Sequence, residues 1–190
     1  MLFVTQVIFA TLPIASKLIL PVVEPLGIAA FRIFGAALAF VTVKWSFRRG
    51  RVTAPRDLLA LIGLSLLGVA LNQVLFLEGV QRTTTVHANI LITTIPVFTL
   101  GIALLLGRER ASALKLTGIA LAGAGAAYLA LARGGSADGA SLLGDLLIVA
   151  NSVCYASYLV LSKDLLKRYD PVTVVTYVFL FGALLIAPFG

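Results

Sequence analysis

Apolar residues run along this chain in seven long stretches, each bounded by charge, proline or glycine: approximately 2–20, 26–45, 57–79, 83–106, 113–132, 142–162 and 171–189. A stretch of about twenty residues, rising 1.5 Å per residue as a helix, covers the roughly 30 Å hydrocarbon core of a bilayer. The pattern therefore predicts an all-α polytopic membrane protein with about seven transmembrane helices. The connections are short, so sequential helices are expected to be antiparallel neighbours. The fourth stretch, within GVQRTTTVHANILITTIPVFTLGIALLLGRER from Gly79 to Arg110, differs from the others. It carries His87, Asn89, Thr93, Thr94 and Pro96 inside a span without an acid or a lysine. A helix that only dissolves in lipid needs none of these, so its polar side is expected to meet other protein or a wet cavity.

Composition agrees with the pattern. The 190 residues are 60% hydrophobic and 12% charged, with mean hydropathy +1.06, and a water-soluble domain carries roughly twice that charge. The net charge of +7 raises the question of nucleic acid, but the cations cluster between apolar runs with no basic-aromatic face, so nucleic-acid binding is excluded. Lys44, Arg48, Arg49, Arg51, Arg56, Arg108, Arg110, Lys115, Lys163, Lys167 and Arg168 fall on one side of the predicted topology. Lys17, Arg82 and Arg133 fall on the other, and Arg32 lies within a run. This asymmetry predicts a cytoplasmic membrane location with the N-terminus in the cytoplasm. The start lacks the basic region of a cleaved leader, so the first stretch is expected to be a true span. The single cysteine, Cys154, sits in an apolar run and reads as a small packing residue.

The chain also matches itself. At a shift of 146 residues, Val7, Ala10, Ser16, Lys17, Pro25, Ala37 and Leu38 meet Val153, Ala156, Ser162, Lys163, Pro171, Ala183 and Leu184, and Glu24 meets Asp170. The shift spans five helices, an odd number, so the two copies would lie in opposite orientations, as in many secondary transporters. This divides the chain into a first five-helix repeat over 1–132 and the first two helices of an inverted second repeat over 142–190. Further helices, or a second copy of the chain, would complete the second repeat.

The segment from Asn72 to Arg110 resembles helices three and four of the EamA-type drug/metabolite transporters. The shared features are the turn at Gly79, the threonine-rich start with Ala88, Pro96-Val97-Phe98 and the close Leu106-Gly107-Arg108-Glu109-Arg110. Phe31-Arg32 and Gly144-Asp145-Leu146 are similar to the family pattern as well. The resemblance implies ten helices in two inverted repeats and movement of small metabolites across the cytoplasmic membrane.

Candidate substrate-binding residues follow from helical spacing. Thr85, Asn89, Thr93, Pro96 and Thr99 share about one-third of the fourth helix, and Pro96 frees the Ile92 carbonyl and can kink the helix. They read as a substrate-lining stripe; the alternative is that the threonines bond back to their own helix and Asn89 to a neighbour. His87, on the opposite side, suits a proton relay or a hydrogen-bonded interfacial role, and no second intramembrane carboxylate is placed near it by sequence. Asn151 and Tyr155 share a face of the sixth helix with Tyr158 and Ser162; the alternative for the latter two is an interfacial lipid belt. Gln6 is the corresponding position on the first helix. Of the adjacent pair Asn72 and Gln73, pointing about 100° apart, Asn72 is expected to face the cavity. Arg32 and Glu78 are expected to pair as a gate, with Arg32 alternatively binding an anionic substrate group. Asp145 opens the sixth helix and suits its positive dipole end.

These readings favour a secondary transporter, exporting or exchanging small organic metabolites such as amino acids by alternating access. Its expected partners are the lipid bilayer and a small-molecule substrate, with no cofactor and no metal. A non-transporting membrane partner, or an inactive fragment of a transporter, is the alternative. An enzyme is disfavoured: one histidine, one cysteine and no HExxH or Gly-x-Ser-x-Gly motif leave no reactive constellation.

Overall fold

The computed structural model describes residues 18, 24–47, 50–110, 112–131 and 141–189. The first apolar stretch, with Gln6, lies outside the described residues apart from Leu18. The other six predicted stretches are all helical: α1 (Pro25–Ser46), α2 (Pro55–Arg82), α3 (Thr85–Leu105), α4 (Ala113–Leu131), α5 (Leu142–Leu166) and α6 (Pro171–Ile186). Of these, α1, α2, α3 and α5 are long and apolar enough to cross a membrane; α6 is shorter and runs into a 3₁₀ turn at Ala187–Phe189.

Local chemistry sets the ends. Pro25, Pro55 and Pro171 occupy first helical positions, where a missing N–H costs nothing. Thr84, Ser141 and Asp170 cap α3, α5 and α6 by accepting from the backbone N–H groups of His87, Gly144 and Val172. Gly107, at φ 65°, ends α3: its N–H reaches the Leu104 carbonyl and the Arg108 N–H reaches that of Ala103. This six-to-one closure requires a left-handed residue, which glycine supplies without strain.

Two helices are irregular within the span. In α2 one turn is π-helical, Leu66–Ala70, and it brings Gly68 against Tyr158 of α5 and Val69 against Gly182 of α6. In α3 the helix breaks at Thr93–Thr94, just before Pro96, as the proline predicts.

The packing departs from the expected chain of sequential neighbours. Helix α5 lies chiefly against the later half of α2 and against α3, and α6 lies against α1 and the first half of α2; α5 and α6 scarcely touch. Small residues decide these partners, since with lipid as the alternative solvent close van der Waals approach is what draws helices together. Tyr158 and Ser162 correspondingly lie inside the bundle rather than in a lipid belt: Tyr158 packs on Gly68, and Ser162 is buried with its hydroxyl donating to the Leu159 carbonyl.

The basic loops gather at one end of the bundle. There Arg108 bonds the Val160 carbonyl at 2.7 Å and Asp164 at 2.6 Å, and Lys115 meets Glu109 at 2.9 Å. The bond and charge of Lys115 hold the Glu109 carboxyl below its ordinary range. Buried Asp57, at the start of α2, receives Arg168 at 2.9 Å and the Tyr169 hydroxyl at 2.7 Å, tying α2 to the turn between α5 and α6.

That hydrogen bond to Asp57 raises the Tyr169 pKa above the ordinary tyrosine value. The stability it contributes is fully present below the unfolded pKa of about 10 and is lost as pH rises through the elevated folded one. Tyr169→Phe is therefore expected to lower the melting temperature at neutral pH. The difference from the parent should shrink at strongly alkaline pH, measured by thermal unfolding in detergent.

Candidate functional site

Between α1, α2, α3 and α5 lies a cavity of about 100 Å³ lined by Arg32, Asn72, Gln73, Phe76, Ile92, Ile95, Asn151 and Tyr155. Its positions fall roughly six to thirteen residues from the ends of their helices away from the basic loops, about 9–20 Å at 1.5 Å per residue. In a core roughly 30 Å thick this is near mid-depth.

Asn72 and Asn151 hold two walls together. The Asn151 side-chain N–H donates to the Asn72 backbone carbonyl at 2.7 Å, and the Asn72 amide returns the contact at 3.5 Å. This clasp meets the cost of burying amides in an apolar span. Gln73 lines the cavity too, against the expectation that only Asn72 would. The cavity reaches around α2 from its α5 side toward α1, so two residues 100° apart both border it.

Among the described residues, two polar atoms facing this region have no hydrogen-bond partner: Nη1 of Arg32 and Oε1 of Gln73, both buried. The expected Arg32–Glu78 pair is not formed. Glu78 is bound instead by Arg82, one turn along its own helix, which is the shorter route for two flexible side chains at a helix end. Arg32 is left as a cation beside a polar cavity, and an unpaired charge at that depth is costly.

None of the stripe residues on α3 lines this cavity. Its wall there is made by Ile92 and Ile95. Asn89 is half-buried and Thr93 exposed, and neither lines it. The Thr93, Thr94 and Thr99 hydroxyls return to the carbonyls of Ile90, Leu91 and Ile95 at 2.6–2.8 Å, which satisfies them within α3. Pro96 is exposed and opens, with Thr99, on a separate recess nearer the basic end.

His87 is also elsewhere. Its Nδ1 lies 3.2 Å from the Asp145 carboxylate, which is bound by the Thr83 hydroxyl as well. Asp145 is buried, so the carboxylate absent from His87's surroundings in the sequence is supplied from the start of α5. The cluster sits where α2, α3 and α5 meet at the far end from the basic loops. The two helices meet there without an intervening side chain, for a Cβ added at Gly144 would lie 2.6 Å from the Arg82 carbonyl carbon. Among the described residues no group of three or more His, Cys, Asp or Glu gathers as a metal site would require.

The profile of the EamA-like transporter family matches residues 1–131 and 142–190. The chain belongs to this family. Relatives of this EamA-like chain include an uncharacterized transporter, YetK, of Bacillus subtilis, 34% identical over 137 residues, which cover 71% of the chain and 42% of the relative. An uncharacterized transporter of Archaeoglobus fulgidus is 30% identical over 194 residues, covering 100% of the chain and 65% of the relative. The EamA-like chain thus spans less than two thirds of the length of either.

Proposed function

We propose that this chain builds the solute site of a secondary carrier for small organic metabolites with an anionic group, amino acids foremost, exported or exchanged across the cytoplasmic membrane. The observation that carries this reading is the pair of unpartnered atoms at the mid-depth cavity, Arg32 Nη1 and Gln73 Oε1. A guanidinium offers two parallel N–H groups to a carboxylate, and an amide oxygen accepts from an ammonium or hydroxyl. Tyr155 and Phe76 supply ring surface for the rest of the solute. The reading of a carrier rests also on membership of a transporter family. At about 100 Å³ the cavity has the volume of only about three waters, so a solute enters as the helices move apart. Rocking of one bundle against another, the general motion of inverted-repeat carriers, would do this.

The repeat is supported by matching helix starts. Glu24-Pro25 opens α1 and Asp170-Pro171 opens α6, each acid at the cap and each proline in the first turn. The two helices run from opposite ends of the bundle and pack on one another. We take 1–132 as one repeat and 142–190 as the opening of its inverted counterpart. The positive-inside rule puts the basic end, and the N-terminus, in the cytoplasm.

Counterflow into proteoliposomes tests the reading. Labelled amino acids are expected to exchange, with competition from unlabelled solutes that carry a carboxylate and none from amines that lack it. Equal exchange of carboxylate-free amines, or silence across amino-acid, amine and nucleoside panels, would overturn it.

A further inference from the structure

At the basic end a second, larger pocket of about 690 Å³ opens between α1 and α6, lined among others by Val41, Lys44, Trp45, Arg51, Tyr177 and Leu180. It is graded along the membrane normal. Lys44 and Trp45 occupy the last turn of α1 and Arg51 lies in the loop beyond, whereas Val41 is about one turn deeper. On α6, which starts at the basic end, Tyr177 comes before Leu180, so the floor toward the bilayer centre is apolar.

Among the described residues, the cations at its mouth have no acidic partners. Lys44 Nζ stands 4.2 Å from the centroid of the Tyr177 ring, a contact with the face of the ring that leaves N–H groups free to donate elsewhere. Arg51 is exposed and makes no ion pair among the described residues. The described carboxylates at this end are committed: Asp57 to Arg168, Glu109 to Lys115, Asp164 to Arg108, and Asp170 to the cap of α6. Trp45, 84% exposed, sets an indole beside them, the ring preferred at the level of lipid headgroups.

We infer that this pocket is a binding site for an anionic phospholipid of the cytoplasmic leaflet. Lys44 and Arg51 hold the headgroup phosphate, Trp45 lies at the glycerol level, and one acyl chain follows Val41 and Leu180. Basic pockets between helices on the cytoplasmic side are suited to such headgroups. A free phosphate would use the two cations but not the apolar floor, so the gradient from charge to hydrocarbon selects the lipid.

The test is lipid retention, independent of solute exchange. The protein is purified from vesicles of phosphatidylethanolamine mixed with phosphatidylglycerol, and co-released lipid is measured by native mass spectrometry. Phosphatidylglycerol is expected to be retained preferentially. The preference should fall about tenfold or more in Lys44→Gln with Arg51→Gln, and survive in Lys44→Arg. Val41→Phe, which fills the acyl slot and leaves both cations, should weaken retention as well. Equal retention of the two lipids, an unchanged preference in the double variant, or displacement of the lipid by inorganic phosphate alone would overturn the inference.

Discussion

Arg32→Met is expected to make the protein more stable and unable to hold its solute. A cation near mid-depth costs about 2.5–3.5 kcal/mol on insertion scales, and among the described residues Arg32 Nη1 has no partner to offset it. Methionine fills a similar length of the cavity wall without charge, so a gain on the order of 1–3 kcal/mol is expected, read as a raised melting temperature in detergent. Solute affinity should fall about ten- to a hundredfold, corresponding to loss of charge-assisted hydrogen bonds of about 1.5–3 kcal/mol. Arg32→Lys keeps the charge but not the two-pronged geometry, and should fall between. A residue retained for structure would behave in the opposite way: the methionine variant would melt lower and exchange solute normally. Opposed changes in stability and binding are what an unpaired functional charge produces, and they separate the two cases in one variant.

Gly144→Ala is expected to be the most damaging single methyl in the described bundle. The added Cβ would lie 2.6 Å from the Arg82 carbonyl carbon and 2.8 Å from both the Arg82 oxygen and the Thr83 nitrogen. These are backbone atoms, so no side chain can swing away, and α2 and α5 must separate. Two contacts cross that junction, a third beside it joins α5 to α3, and all would be loosened together. The Ser141 N–H reaches the Arg82 carbonyl at 2.9 Å, the Thr83 hydroxyl binds Asp145, and Asp145 meets His87. Overpacking alone costs roughly 1–3 kcal/mol, and loosened buried polar groups add to it. The expected result is a marked loss of monodisperse protein on fluorescence-detected size exclusion and a melting temperature lower by several degrees. A control at Gly35, where an added Cβ meets nothing within 4 Å, should leave both measurements nearly unchanged. Equal behaviour of the two variants would mean that the α2–α5 junction is not closely packed.

The helices were legible in the chain because what makes a membrane span is local. Length, apolar content and flanking charge are properties of about twenty consecutive residues, and the six described helices sit where those properties place them. The break before Pro96 was legible for the same reason, since a missing N–H acts within one turn. Arg32, Asn72, Asn151 and Tyr155 were identifiable as residues too polar for lipid, and they do border one cavity.

What could not be read was the direction in which each polar face turns. Helical spacing groups Asn89 with Thr93 and Pro96 but says nothing of the helix's rotation about its own axis, and packing turned Ile92 and Ile95 to the cavity instead. Gln73 was set aside because adjacent residues diverge, a rule that fails where a cavity reaches around the helix. His87 and Asp145 are 58 residues apart, and only the approach of α3 to α5 makes them partners. Membrane class, helix positions and charge asymmetry therefore belong to the sequence itself, because bilayer thickness and the cost of burying charge act on each segment alone. Which buried groups are paired and which, like Arg32, are left open is decided by tertiary packing, because a hydrogen bond needs two atoms and the chain order supplies only one at a time.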